Sequence, residues 1–452
     1  GIDVPEDFYS MVAEEAEEKE EQEESFGIEK SFSTDKMYYK DEKQQVCEAE
    51  VVETIVDGWV ILDKTVFYPE GGGQEPDEGY IVRDDEKFRV EDVQSQGDIV
   101  LHKIPGNDLK EGDQVKAEIY WPRRKQLMQH HSATHIVNYA AREMLGNHIW
   151  QSGAHKTVEK GRLDITHYEK LSREQLDQIE GIVRDIVTDN MDIEKEVVEK
   201  SKAEKEHGFR IYQGGAAPGG KIRIVSIDDI DYEACGGTHL DTTYEVGEFV
   251  ITGSKKVQDG VIRLNYKAGE AAEEHIRKVE ERIHEVGELL GIEENIEAML
   301  DGDYRETERN LCDLYSVEPG HLIDTVRNFQ QEKQEMDRKI EDLSEFLDKE
   351  IETEDIATGM LKDRAESLFS AWKESEKKVD RLENMIEGYV RENIEERWFE
   401  EHIPTENVGL MIQVCRKLAK DFQASITIIG EKGAVSASFH EDYDADENLE
   451  EY

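Results

Sequence analysis

His131-Ser132-Ala133-Thr134-His135 lies inside a run from Arg123 to Leu145 that reads as a helix, started by Pro122 and ended at Gly146. Two histidines four apart occupy one helical face, about one turn from each other, so both imidazoles reach a single metal ion. Alone, the pair is equally compatible with two surface or core histidines. Cys235-Gly236-Gly237-Thr238-His239 supplies a second pair at the same spacing, and its glycines permit positive φ and close backbone approach. Together His131, His135, Cys235 and His239 form a His₃Cys set, for which a tetrahedral zinc is the expected occupant. Ser132 stands where a helical metalloprotease would carry its glutamate, which argues against that class. With all four groups bound the site is closed; with one displaced, water or a substrate atom takes the free position.

Upstream, Phe67-Tyr-Pro-Glu-Gly-Gly-Gly-Gln74 offers three successive glycines, either a ligand-approaching loop or a plain hairpin turn. It sits among short alternating segments, Val46–Val56, Trp59–Phe67, Gly79–Val82, Phe88–Val93, Ile99–Ile104 and Gln114–Tyr120, separated by Gly- and Asp-rich turns. A small β-barrel over 31–121 fits them. Downstream, Leu171–Asp189 reads as a helix with a Ser172–Gln175 capping box, and Ile222–Ser226, Phe249–Lys256 and Val261–Tyr266 read as strands, giving an α+β domain over 122–268. Residues 269–403 are charged and helical. Leu322–Leu347 and Ala357–Trp398 carry apolar residues every three or four positions, as an antiparallel helical hairpin or a coiled-coil arm would. Over 404–452, a helix at Val408–Ala419 and strands at Ala424–Ile429 and Ala434–Phe439 open an α/β module, followed by an acidic stretch from Glu441. Residues 1–30, with eight Glu and one Lys between Glu14 and Glu24, read as an acidic linker.

The chain of 452 residues holds 107 Asp and Glu against 55 Lys and Arg, a net charge of −52 that by itself votes against a nucleic-acid partner. Acidity spread along the whole length also suits a solvated surface in a salt-rich cytoplasm, where screening shortens each charge's reach. No apolar run approaches a membrane span and no signal pattern opens the chain, so a cytoplasmic location without a membrane partner is expected. Cys47, Cys235, Cys312 and Cys415 show no paired spacing, which argues against a disulfide framework.

The order Tyr68-Pro-Glu-Gly-Gly-Gly-Gln74, Arg123-Arg124, His131-Ser-Ala-Thr-His135, Cys235-Gly-Gly-Thr-His239 closely resembles the editing part of alanyl-tRNA synthetases. Gln151-Ser-Gly-Ala154, Arg162-Leu-Asp-Ile-Thr-His167 and Gly208-Phe-Arg-Ile-Tyr-Gln-Gly-Gly215 are similar to the archaeal form, and the resemblance runs from about Val4 to the last residue. It implies a barrel, a zinc-containing editing domain shared with threonyl-tRNA synthetases, a dimerising helical arm and a partial C-terminal RNA-binding module. The implied activity is hydrolysis of tRNA(Ala) mischarged with serine or glycine, since a pocket for alanine excludes neither well. The resemblance assigns one zinc to His131, His135, Cys235 and His239. It gives catalytic positions to Thr134, Gln151 and, more weakly, Asp164, whose other reading is a buried structural carboxylate. Gly71, Gly72, Gly73, Gln74, Gly236, Gly237, Arg123 and Arg124 are the implied substrate contacts. RNA contact would fall to local cations, Arg123, Arg124, Lys125, Lys255 and Lys256.

Two departures stand out. The family's aminoacylation domain, the part that uses ATP, would precede Gly1, and the glycine-rich ending expected of the C-terminal module is not found before Tyr452. The expectation is therefore a fragment of a longer synthetase. The alternatives are a freestanding aminoacyl-tRNA deacylase, against which the helices from Leu322 to Trp398 argue, and a non-catalytic zinc-stabilised protein that dimerises through its arm.

Overall fold

The computed structural model describes residues 32–213, 220–347, 349–394, 398–402, 408–430, 432–438 and 450–451. The acidic run Glu14–Glu24, Gly214, Gly215 and most of the stretch after Glu441 lie outside them. The chain is mixed α and β and divides into two compact units, residues 1–275 and 276–452.

In the first unit a seven-stranded antiparallel sheet has the order Glu86–Val90, Gly79–Arg83, Gln114–Ile119, Val46–Ile55, Trp59–Leu62, Ile99–Lys103, Asp92–Gln96. Alternation sets its faces: Cys47, Ala49 and Val51 point into one core while Glu48 and Glu50 face outward. The expected single strand Phe88–Val93 is two strands. Glu91 donates its N–H to Lys103 O at 2.9 Å, and the chain there leaves Gly79–Arg83 for a new neighbour, Ile99–Lys103. The alternation of Phe-Arg-Val-Glu-Asp-Val breaks at Glu91-Asp92, where the change of partner falls.

The histidine helix spans Trp121–Leu145 and most of its side chains are buried, so it is central rather than superficial. Beside it lies Arg173–Asp189, begun by the expected capping box: Gln175 N–H donates to Ser172 Oγ at 3.2 Å and Ser172 N–H to Gln175 Oε1 at 2.8 Å. Both helices pack on one face of a four-stranded antiparallel sheet ordered Gln151–Lys156, Gly161–Thr166, Val261–Ala268, Phe249–Gln258. A three-stranded sheet, Ile193–Glu199, Lys221–Ile227, Asp231–Ala234, leads into the cysteine loop. Gln151–Lys156, Gly161–Thr166, Ile193–Glu199 and Asp231–Ala234 escape a reading of apolar alternation, because glycines and charged residues dilute it.

The second unit contains the helices Tyr304–Tyr315, Leu322–Phe346 and Leu361–Asn393. The two long ones are parallel, not an antiparallel hairpin: Trp372 Nε1 donates to Glu332 Oε2 at 2.7 Å, Ser375 Oγ to Asp337 Oδ1 at 2.8 Å, and Lys339 pairs with Glu383 at 2.5 Å. Residue numbers rise together along both helices. A 25-residue helix is about 37 Å long, and the extended chain between the helices is long enough to return over that distance at roughly 3.3 Å per residue. The return makes its contacts in reverse order, Lys378 Nζ on Glu352 O and Ala357 N–H on Ser367 Oγ. Trp398, expected at a helix end, belongs instead to a strand, Trp398–His402, parallel to Ser425–Gly430. Gly433–Ser438 completes that sheet's described core and the Val408–Phe422 helix covers it through Met411, Cys415 and Leu418.

Candidate metal centre

His131 and His135 project from adjacent turns of the central helix, while Cys235 and His239 come from the loop after Asp231–Ala234. Their donor atoms all lie within 4.8 Å of one another. Cys235 Sγ is 3.4 Å from His131 Nε2 and 3.3 Å from His239 Nε2. Sulfur and nitrogen bound to one tetrahedral ion at ordinary bond lengths sit about 3.5 Å apart. Gly237 is obligatory here, because a Cβ on it would fall 1.9 Å from His131 Cε1.

Two of the three imidazoles have the second nitrogen hydrogen-bonded. His131 Nδ1 donates to Gln74 Oε1 at 2.7 Å, which leaves Nε2 as the free donor atom. His239 Nδ1 lies 3.3 Å from Ser132 Oγ. His135 Nδ1 is 3.0 Å from Glu233 Oε2, an electrostatic contact rather than a directed hydrogen bond. Burial holds His131 and His239 well below the ordinary histidine pKa, with neighbouring cations adding to it, so both are neutral. For His135, burial pulls the same way but the Glu233 and Asp231 carboxylates outweigh it and raise its pKa. Burial raises the Cys235 thiol, but His135 and Lys156 prevail and lower it. His131 and His239 thus offer the neutral form that a divalent ion takes and the Cys235 thiol is shifted towards the thiolate, while at His135 a binding ion would displace the proton that the carboxylates favour, so the donor set fits one.

The cysteine loop is clamped from the seven-stranded sheet side. Tyr39 Oη donates to Gly236 O at 2.8 Å, and the Glu42 carboxylate takes the His239 N–H at 2.9 Å and pairs with Arg223. Arg223 Nη1 in turn donates to Cys235 O at 2.8 Å and Gly237 O at 3.0 Å. None of Tyr39, Glu42, Arg223, Lys156 or Glu233 is singled out by motif. Only Glu233 left a trace, as the period-two partner of Asp231 on a short strand.

Several expected contacts are placed otherwise. Gly71–Gln74 is a tight hairpin whose Gly71 and Gln74 N–H groups bond within the turn, with Gly72 and Gly73 at φ 58° and 73°. It wedges against the edge strand, where a Cβ on Gly73 would meet Ala154 O at 2.1 Å. Gln74 is fully buried and holds His131 and Thr238, so it positions a ligand instead of meeting substrate. The Thr134 hydroxyl donates to His130 O at 2.8 Å and lies 2.5 Å from Tyr266 Oη in the core, on another side of the helix from the donors. Asp164 is locked bidentate to Arg263 at 2.7 and 2.8 Å. It sits between Leu163 and Ile165, which face the core, and therefore on the opposite face of the sheet. Arg124 is fully buried against Asp77, Glu42 O and Val66 O, and Arg123 is held by Pro76 O, Glu75 and Glu78. Neither is available to RNA. Gln151, paired with Ile165 on the core-side face and partly exposed, stays on the helix side of the sheet.

The chain matches the family model for class II (A) tRNA synthetases over residues 1–123. It matches the threonyl and alanyl tRNA synthetase second additional domain over 222–265, the stretch that holds Cys235 and His239. It is 40% identical over 356 residues to the alanine–tRNA ligase of Methanopyrus kandleri, covering 76% of this chain and 36% of that one. With the alanine–tRNA ligase of Methanococcus maripaludis it shares 43% over 298 residues, 64% of this chain and 33% of the relative. With that of Pyrococcus furiosus it shares 41% over 297 residues, 64% and 32%. The chain thus spans about a third of the length of the curated relatives it matches. On these similarities, together with the editing-type second additional domain, the chain belongs to the alanyl-tRNA synthetase family.

Proposed function

We propose that the His131, His135, Cys235 and His239 centre holds zinc and that the chain hydrolyses the ester of tRNA(Ala) mischarged with serine or glycine. The observation that carries the reading is the convergence of four metal donors, two of them within the stretch matching the synthetase second additional domain. Bound there, zinc would supply Lewis acidity and orient the amino acid. Gln74, Ser132 and Glu233 keep the imidazoles facing inward, and the Tyr39–Glu42–Arg223 clamp fixes the cysteine loop. Gln151 extends a partly exposed amide from the helix-covered face of the edge strand, suited to hydrogen-bond a polar aminoacyl end. Serine's hydroxyl offers a handle that alanine lacks, so the site discriminates by a hydrogen bond rather than by size. Alanine ligation with ATP belongs in this reading to a longer parent protein. The long helices serve a homodimer and the setting is cytoplasmic; no helix among the described residues is long and apolar enough to cross a membrane. The test is hydrolysis of Ser-tRNA(Ala) and Ala-tRNA(Ala) side by side: the serine ester is cleaved and the alanine ester spared.

A further inference from the structure

The four strands Gln151–Lys156, Gly161–Thr166, Phe249–Gln258 and Val261–Ala268 contain six Lys or Arg and one acid, Asp164. The chain as a whole has about two acids per base, so this sheet reverses the local charge. Register places His155 beside Arg162, and Asp164 beside Arg263 beside Lys255, on the face opposite the one that both helices cover. Asp164, the acid of this face, is neutralised by Arg263. Arg162 has no such partner: its Nε is buried without a hydrogen bond, and the guanidinium meets no carboxylate among the described residues. An arginine left unpaired in so acidic a protein marks a place for an anion from outside.

We infer that this open face of the four-stranded sheet binds the phosphodiester backbone of the RNA acceptor strand, with Arg162 as its central contact and His155 and Lys255 flanking it. Neighbouring strands lie about 4.8 Å apart, so the row from the edge strand to Lys255 is roughly 14 Å across. Successive phosphates along a strand are close enough for two or three of them to be met. The edge strand Gln151–Lys156 carries Gln151 on the helix-covered face and His155 on the open one, so a chain crossing that edge reaches both. The inference rests on the proposed editing reaction for its choice of RNA, while the charge pattern alone calls for a polyanion.

The test uses the whole chain and an unacylated, fluorescently labelled RNA hairpin ending in a single-stranded 3′ segment, titrated over a salt series. Arg162→Gln and Lys255→Gln are each expected to weaken binding, and the pair by about tenfold or more. The salt slope should fall by about 0.7 for each single-strand phosphate that the variant no longer neutralises. Lys255 is exposed, so its variant guards against misfolding of the other, and Lys87→Gln on the seven-stranded sheet serves as an unaffected control. Wild-type affinity and slope in both variants would overturn the inference, as would equally tight, equally sensitive binding of a polyglutamate peptide. Cleavage of 3′-O-seryl adenosine, which lacks the strand's phosphates, separates the two claims. If wild type cleaves it and the variants bind RNA normally, the surface is wrong and the reaction stands. If wild type leaves it intact while Arg162→Gln still loses RNA, the surface stands and the reaction is wrong.

Discussion

Gln74 Oε1 lies 2.7 Å from His131 Nδ1, so an amide at the foot of the glycine turn sets the tautomer of the first metal-directed histidine. The same side chain donates to Thr238 Oγ1 at 2.9 Å, next to His239. Gln74 therefore couples the seven-stranded sheet to both halves of the donor set. Gln74→Ala should weaken zinc affinity about 10- to 100-fold, the usual cost of removing such an outer partner. Competition against a chelating dye measures it, and an unchanged dissociation constant would show that His131 needs no such support.

Arg124 and Asp77 form a fully buried ion pair with two further carbonyl acceptors on the guanidinium. Removing one partner strands the other charge, at a cost of about 3–5 kcal/mol. Arg124→Met should lower urea-unfolding stability by about that amount, with no change in the salt slope of RNA binding for the protein that remains folded. A changed slope with normal stability would return Arg124 to the RNA surface.

His102 is fully buried between Thr65 Oγ1 and Val60 O, and burial pushes its pKa down to about 4, with the carbonyl opposing. Between pH 6.5 and 4 the unfolded chain binds a proton here that the folded chain refuses. The stability held above pH 6.5 is thus lost as pH falls towards 4, by about 3 kcal/mol for this residue. His102→Gln should remove that share, giving a shallower fall of the urea midpoint with acidification. Parallel pH profiles for the two proteins would contradict the assignment.

The donor set was legible because its spacing is chemical: each pair sits four residues apart, and metal ligands tolerate few substitutes. Segments with strict alternation, such as Cys47–Val51, and with a capping box, such as Ser172–Gln175, were equally plain. What escaped depends on partners distant in sequence. Thr134 adjoins His135 in the chain, yet lies about a hundred degrees around the helix from it and bonds Tyr266. Arg123 and Arg124 read as surface cations because the carboxylates that absorb them lie nearly fifty residues upstream. The parallel course of the two long helices is likewise invisible in their periodicity, since an amphipathic stripe fits either direction; the returning segment 349–360 decides it.

The most direct measurement is the rate of serine release from Ser-tRNA(Ala) by the zinc-loaded chain, by the same protein after chelation, and after zinc is restored. Rapid release, loss on chelation and recovery on reloading are expected, with His135→Ala failing to retain the metal. Full zinc occupancy without any release of serine, or release that survives complete removal of the metal, would contradict a zinc-dependent editing centre.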